Sequence, residues 1–447
     1  MLAITYILPG HLVGVNGSKE SFMVKRKFLG RALVSITAAF ALVGGTLLVP
    51  AQAADPVTLT MWARSVTAVQ SQDMVNAFNK EYAGKIEVKL TVVPFAEYLV
   101  KVSAAAATDN LPDILAANVI DGPNYSKSGF WKDINAEVRK LSYFKQLAPA
   151  HLAAGRYNYR YFSVPHVTDA SSIYYNKVLF RKAGLDPEKP PKNLTELASM
   201  AKKIADVDGA GGIGGLYYPG NCGGCLAFTM FPSMWANGAK VLNVAGTSSD
   251  LATRKATEVI NVYRGMFQNG SMMPESRNEA GATQNAVFES GNAGFALLGS
   301  KALGTIKSSD KLEIGVAPLP GLSGGVSTFV GGDIVGISSD SKNAAAAWTF
   351  IKWTLEEKPQ IDLYAAKNFL TSRTDLAKNS YALKDARIML LNSLLDKGKA
   401  PMSARFFQTF NDPNGPWLTY VRTAVFGDAK PDYKKLADAI NKSLAQS

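Results

Sequence analysis

A chain of 447 residues with 47% hydrophobic and 19% charged content can bury the cores of two lobes, which excludes a largely disordered protein. Its formal charge of +12 raises the possibility of a nucleic-acid surface, but the basic residues are scattered, so no nucleic-acid partner is expected. With two cysteines, Cys222 and Cys225, the chain is also no disulfide-built scaffold.

Lys25, Arg26, Lys27 and Arg31 form the one basic cluster, directly before an apolar run from Ala32 to Val49 that ends in Pro50-Ala51-Gln52-Ala53-Ala54. Basic head, apolar middle and small residues at the end are the layout of an export signal, so residues 1–53 are expected to be removed by cleavage after Ala53. An uncleaved anchor is the alternative, because the run approaches the length that crosses a bilayer. Met23 stands just ahead of the basic cluster and is a candidate true start. Neither cysteine lies at the cleavage site, so a freely soluble periplasmic product without a lipid is expected.

Val57 to Trp62 alternates apolar and polar as a strand does, and Met74, Val75, Phe78 and Tyr82 then recur at helical spacing behind Ser71, a candidate cap. Gly84 closes that helix, Ile86, Val88, Leu90 and Val92 alternate again, and Pro94 stops the strand. An Ala-rich helix to Ala107 leads to a third strand at Ile114 and Leu115. The order β-α-β-α-β predicts a parallel sheet, whose ligand crevice lies beyond the carboxyl ends of its strands. Functional loops are therefore expected at Trp62-Ala63-Arg64, Asn118 to Asp121, Pro165 to Ala170, Pro219 to Cys225 and Gly331-Gly332-Asp333. Leu194, Leu197, Ala201 and Ile204 give a later helical face, and the chain beyond Leu370 is mostly helical in pattern. Continuous patterning without a linker predicts two lobes sharing several crossings.

Tyr161-Phe162-Ser163-Val164-Pro165, followed by Ile173-Tyr174-Tyr175-Asn176-Lys177 and Lys182-Ala183-Gly184-Leu185, closely resembles the central signature of extracellular solute-binding proteins. Pro112-Asp113-Ile114, Gly129-Phe130-Trp131, Phe288-Glu289-Ser290-Gly291, Pro318-Leu319-Pro320-Gly321 and Ala347-Trp348-Thr349-Phe350-Ile351 match in the expected order. The resemblance is to the branch containing maltose-binding and related sugar receptors of ABC importers. It implies a periplasmic-binding-protein-like α/β fold of two lobes, an inter-lobe cleft, and a hinge crossed near Pro165, Gly315 and Leu363. The expected division is an N-lobe of 55–165 plus 315–362 and a C-lobe of 166–314 plus 363–447. Closure around ligand would then report occupancy to the importer's transmembrane subunits.

Asp169 lies where this branch carries an acidic sugar ligand; a plain turn aspartate is the alternative. Trp62 and Trp235 are candidate stacking platforms for the apolar faces of sugar rings, or else core residues. Arg64 offers a planar fork to hydroxyls or a carboxylate, and Asp121 and Asn221 sit in two of the expected loops. Gly332 before Asp333 allows close backbone approach beside an acid. Ser300 precedes Lys301, which stands where the branch usually has an aromatic, and this departure favours an anionic substituent or leaves a solvent-facing lysine. Cys222-Gly-Gly-Cys225 reads as a disulfide staple in an oxidising compartment, with a thiol oxidoreductase as the alternative. A zinc site lacks ligands, since His151 and His166 are the histidines beyond the leader.

These readings converge on a monomeric importer receptor for a sugar or polyol, without catalytic residues, metal or cofactor. The alternatives are a carbohydrate-active enzyme, which needs two free carboxylates across a cleft, or a receptor for a phosphodiester or polyamine.

Overall fold

The computed structural model describes residues 55–207 and 212–446, so the expected export signal lies outside the described residues. The amino-terminal part follows the expected order. Strand β1 (Val57–Arg64) buries Leu59, Met61 and Ala63 by its period of two, and α1 (Ala68–Glu81) buries Met74, Val75 and Phe78. Next come β2 (Ile86–Val93), α2 (Tyr98–Ala106) and β3 (Ile114–Asn118), with β1 parallel to both other strands. Ser71 does not cap α1. The helix begins at Ala68 after a single 3₁₀ turn, which leaves Ser71 in its second turn, buried against His166 with Oγ and Nε2 3.0 Å apart.

The segments 165–170 and 331–333, expected as loops, are instead strand. Residues Val164–Asn176 form one 13-residue strand, β4, buried throughout. It is followed by α3 (Leu194–Ala205), β5 (Gly214–Tyr217), α4 (Gly223–Ala236), α5 (Arg254–Gln268), β6 (Ala293–Gly299), β7 (Ile314–Ala317) and the 14-residue β8 (Gly324–Ile337). The main path of the sheet runs β2-β1-β3-β8-β4-β6-β5.

The register shows why these strands are long. Val164 to Ala170 pairs with β8, which pairs in turn with β3, whereas Ser171 to Asn176 pairs with β6 and β7. β4 and β8 thus link the β1–β3 part of the sheet to the part built by β5, β6 and β7. Pro165 is tolerated because the β4–β8 register shifts between Asp333 and Ile334, leaving His166 without an opposite residue.

Helices cover the sheet at both ends of these long strands. The late helix α6 (Ala344–Thr354) meets α1 through Phe78, whose ring lies 5.0 Å from Phe350 and 5.4 Å from Trp353. On the β5 side, Leu194, Leu197, Ala201 and Ile204 are buried as their spacing predicts, as are Trp417 and Tyr420 of α7 (Pro416–Phe426).

Candidate functional site

A cavity of about 490 Å³ opens beyond the carboxyl ends of β1, β2 and β3, within the size range of small-molecule sites. Arg64, Gln70, Phe95 and Asn118 line one wall. Asp169, Phe228, Gln284, Lys301 and the Cys222–Cys225 pair line the other, and Phe329, Gly331 and Gly332 of β8 form part of the lining.

Pairing of Gly331 with Asp169 sets the acid beside the glycines across adjacent strands. Asp169 Oδ1 accepts from Ser300 Oγ at 2.8 Å and from the amide of Ala170 at 3.0 Å. Oδ2 has no hydrogen bond among the described residues and lies 3.6 Å from Lys301 Nζ. Gly299 is required here, since a Cβ on it would come within 2.6 Å of that oxygen. Ser300 itself is buried behind Asp169, so it orients the carboxylate and does not face the cavity.

Lys301 does face the cavity. Its ammonium reaches across the cleft and donates to the carbonyl of Val66 at 2.8 Å. The second acid is differently placed. Asp333 is 0% exposed, and its carboxylate accepts from Arg64 Nε at 2.9 Å, from Arg64 Nη2 and from Thr67 Oγ1 at 2.5 Å. Arg64 Nη2 also donates to the carbonyl of Gly332 at 3.2 Å, so the fork expected for ligand is held by protein groups. Gly332 has φ +100°, and the carbonyl of Val167 occupies the space a side chain would need.

The two tryptophans are placed elsewhere. Trp62 lies against α2, where its carbonyl accepts from Tyr98 at 3.1 Å and Lys101 Nζ stands 4.4 Å from its ring. Trp235 is 7% exposed in the last turn of α4, packed against Phe231 and Phe329. The cavity faces the first turns of that helix, and at 1.5 Å per residue Trp235 sits about 10 Å further along the axis than Phe228. The cavity aromatics are phenylalanines: Phe95, Phe228, Phe329 and Phe406. Gly331 admits the Phe228 ring, since a Cβ there would approach Phe228 to 2.8 Å.

Asp121 and Asn221 are also outside the lining. Burial pushes the Asp121 carboxyl up to about 7, opposed by Arg64 and reinforced by Asp333. Asn221 is exposed and accepts from Arg422 Nη1 at 3.0 Å. Cys222 and Cys225 are joined in a disulfide across the first turn of α4.

Of the lining residues that sequence reading passed over, Phe95 and Gln70 had a signal, for they follow the carboxyl ends of β2 and β1. Phe228, Gln284 and Asn411 had none. Among the described residues no cluster of metal-binding side chains occurs, and no helix is long and apolar enough to cross a membrane.

The family model for the bacterial extracellular solute-binding protein matches residues 65–361. The chain belongs to that family. Family members are binding proteins. A putative binding protein of Brucella abortus is 28% identical over 245 residues, covering 52% of this chain and 56% of the relative. The solute-binding protein thus matches little more than half the length of that relative. A multiple sugar-binding protein of Streptococcus mutans is 25% identical over 60% of this chain and 64% of its own. In fold, an ABC-transporter solute-binding protein of Thermotoga lettingae, bound to α-D-tagatose, superposes with a TM-score of 0.77 at 21% identity. That match covers 87% of this chain and 100% of the other.

Proposed function

We propose that this solute-binding protein is the periplasmic receptor of an ABC importer and captures a neutral sugar or polyol in the cavity. The observation that carries the reading is Asp169, which lines a phenylalanine-rich cavity with one carboxylate oxygen fixed by Ser300 and the other, 3.6 Å from Lys301 Nζ, accepting no hydrogen bond among the described residues. A carboxylate oxygen accepts hydroxyl protons, and apolar rings cover the C–H faces of a sugar. The sugar relatives support the same ligand class.

An enzyme is disfavoured because the second acid, Asp333, is committed to Arg64 and Thr67, which leaves no free carboxylate pair among the described lining residues. One observation supports a second reading. Lys301 offers a cation to the cavity and favours a ligand with an anionic substituent.

The lobe division is part of the proposal: an N-lobe of 55–165 plus 315–362 and a C-lobe of 166–314 plus 363–447. Because Ile314–Ala317 pairs with Ile173–Asn176, the register favours moving the second crossing from near Gly315 into β8. Working as a monomer with separate membrane subunits, the receptor would signal ligand by closure of the two lobes.

A ligand that binds only the folded form raises its apparent stability by mass action, so thermal shifts across sugars, polyols, sugar acids, polyamines and phosphodiesters test the reading. A shift with neutral sugars or polyols is expected. Shifts confined to anionic compounds would replace it with the Lys301 reading, and shifts confined to polyamines would defeat both.

A further inference from the structure

The Cys222–Cys225 disulfide plays no part in the ligand reading, yet both of its residues line the cavity. Cys222 is the N-cap of α4, in extended conformation, and its Sγ accepts from the amide of Cys225 at 3.2 Å. Sulfur at this position of a 14-residue helix meets unpaired N–H groups and the positive end of the helix dipole, both of which favour a thiolate.

Both cysteines are partly exposed on the cavity side, and their nearest neighbours are glycines. The intervening residues, Gly223 and Gly224, carry no side chain. Across the disulfide, Gly281 has φ +93°, and a Cβ there would come within 2.8 Å of Cys225 Sγ and 3.3 Å of Cys222 Sγ. The loop is fixed in that position: Glu279 accepts from the Gly281 amide at 2.5 Å and from Tyr217 at 2.7 Å, and its carbonyl accepts from the Asn221 amide at 2.8 Å. Glu279 is the acid of the loop packed on the sulfurs, and these donors already hold its charge.

We propose that the Cys222–Cys225 disulfide is a thiol-exchange site opening onto the cavity, accessible in the folded protein to a small dithiol, with Cys222 as the stabilised leaving thiolate. The thiolate of the dithiol attacks Cys225 Sγ, a mixed disulfide forms, and the Cys222–Cys225 bond breaks with its electron pair leaving on Cys222. The second thiol of the dithiol then loses its proton and attacks the dithiol sulfur of the mixed bond. A cyclic disulfide forms and Cys225 leaves as thiolate. Two electrons have passed from dithiol to protein, and the two protons end on the cysteines or in solvent. A better-stabilised leaving thiolate makes the first step faster.

The test uses the wild-type protein, oxidised, at about pH 7.5 in about 1 mM dithiothreitol without denaturant, with timed iodoacetamide quench and intact-mass measurement. Two labels per molecule are expected within minutes while near-ultraviolet circular dichroism stays native. Labelling that appears only in guanidinium, or only as the native spectrum is lost, would overturn the proposal. For the leaving group, Cys225→Ser and Cys222→Ser each retain one thiol, and each is reacted with an aromatic disulfide that reports by absorbance. Cys222 should react at least tenfold faster than Cys225, and equal or reversed rates would refute its assignment as the stabilised thiolate.

Discussion

Replacing Asp333 by alanine should cost folding stability more directly than it costs ligand. The carboxylate is fully buried and holds the guanidinium of Arg64, a residue itself 5% exposed, so truncation strands the Arg64 charge. Breaking a buried pair from one side costs about 3–5 kcal/mol, because the remaining ion keeps its desolvation penalty without its partner. The carbonyl of Gly332 offers little compensation, since Arg64 already uses it, and the Thr67 hydroxyl can turn to its other acceptor, the Arg64 carbonyl, rather than to the guanidinium. With an unfolding entropy of about 2.1 cal/mol/K per residue, and about 390 described residues, that loss lowers Tm by about 4–6 °C. Differential scanning calorimetry of the ligand-free protein measures it. A paired replacement, Arg64→Met with Asp333→Leu, should recover most of the loss, because removing both charges removes the stranded one. An unchanged Tm for Asp333→Ala, with weakened ligand binding, would refute the reasoning and restore Asp333 as a direct ligand contact.

Three further outcomes distinguish the site from its supports. Asp169→Asn should weaken the best ligand of the thermal screen by about ten- to a hundredfold, the loss of a charge-assisted hydrogen bond, with Tm of the free protein nearly unchanged; isothermal calorimetry reads the first and scanning calorimetry the second. Phe228→Ala should reduce affinity through lost ring contact, while Trp235→Ala should lower stability by about 3–5 kcal/mol as a core truncation; the reverse pattern in paired binding and urea titrations would return Trp235 to the ligand. Asp121→Asn should change the pH dependence of folding. Because burial raises the folded carboxyl to about 7, the unfolded chain ionises first as pH rises from about 4, and wild-type stability falls across that window. The variant should match wild type near pH 4 and exceed it above pH 7; parallel curves in urea melts at about pH 4, 6 and 8 would refute the assignment.

Local pattern determined much of this protein. The period of two in β1 and β2, the helical spacing of Met74, Val75 and Phe78, and the stretch around Leu194 to Ile204 each specify an element without help from distant residues. The parallel β-α-β-α-β order then places the crevice at the strand ends, where Arg64, Phe95 and Asn118 are found. Tertiary structure decided which polar and aromatic groups enter the cavity. Whether an acid faces ligand or an arginine depends on partners far along the chain: Asp333 meets Arg64 across 269 residues, whereas Asp169 meets Ser300 across 131 and keeps one oxygen unbonded among the described residues. Likewise Trp235 and Phe228 share one helix, and which of them lines the cavity is set by what packs on each: Phe228 lies beside Gly331 at the cavity, while Trp235 is packed against Phe231 and Phe329. Residue type fixes what a side chain can do, but burial and pairing, which arise from chain crossings such as β4 and β8, fix whether it is free to do it.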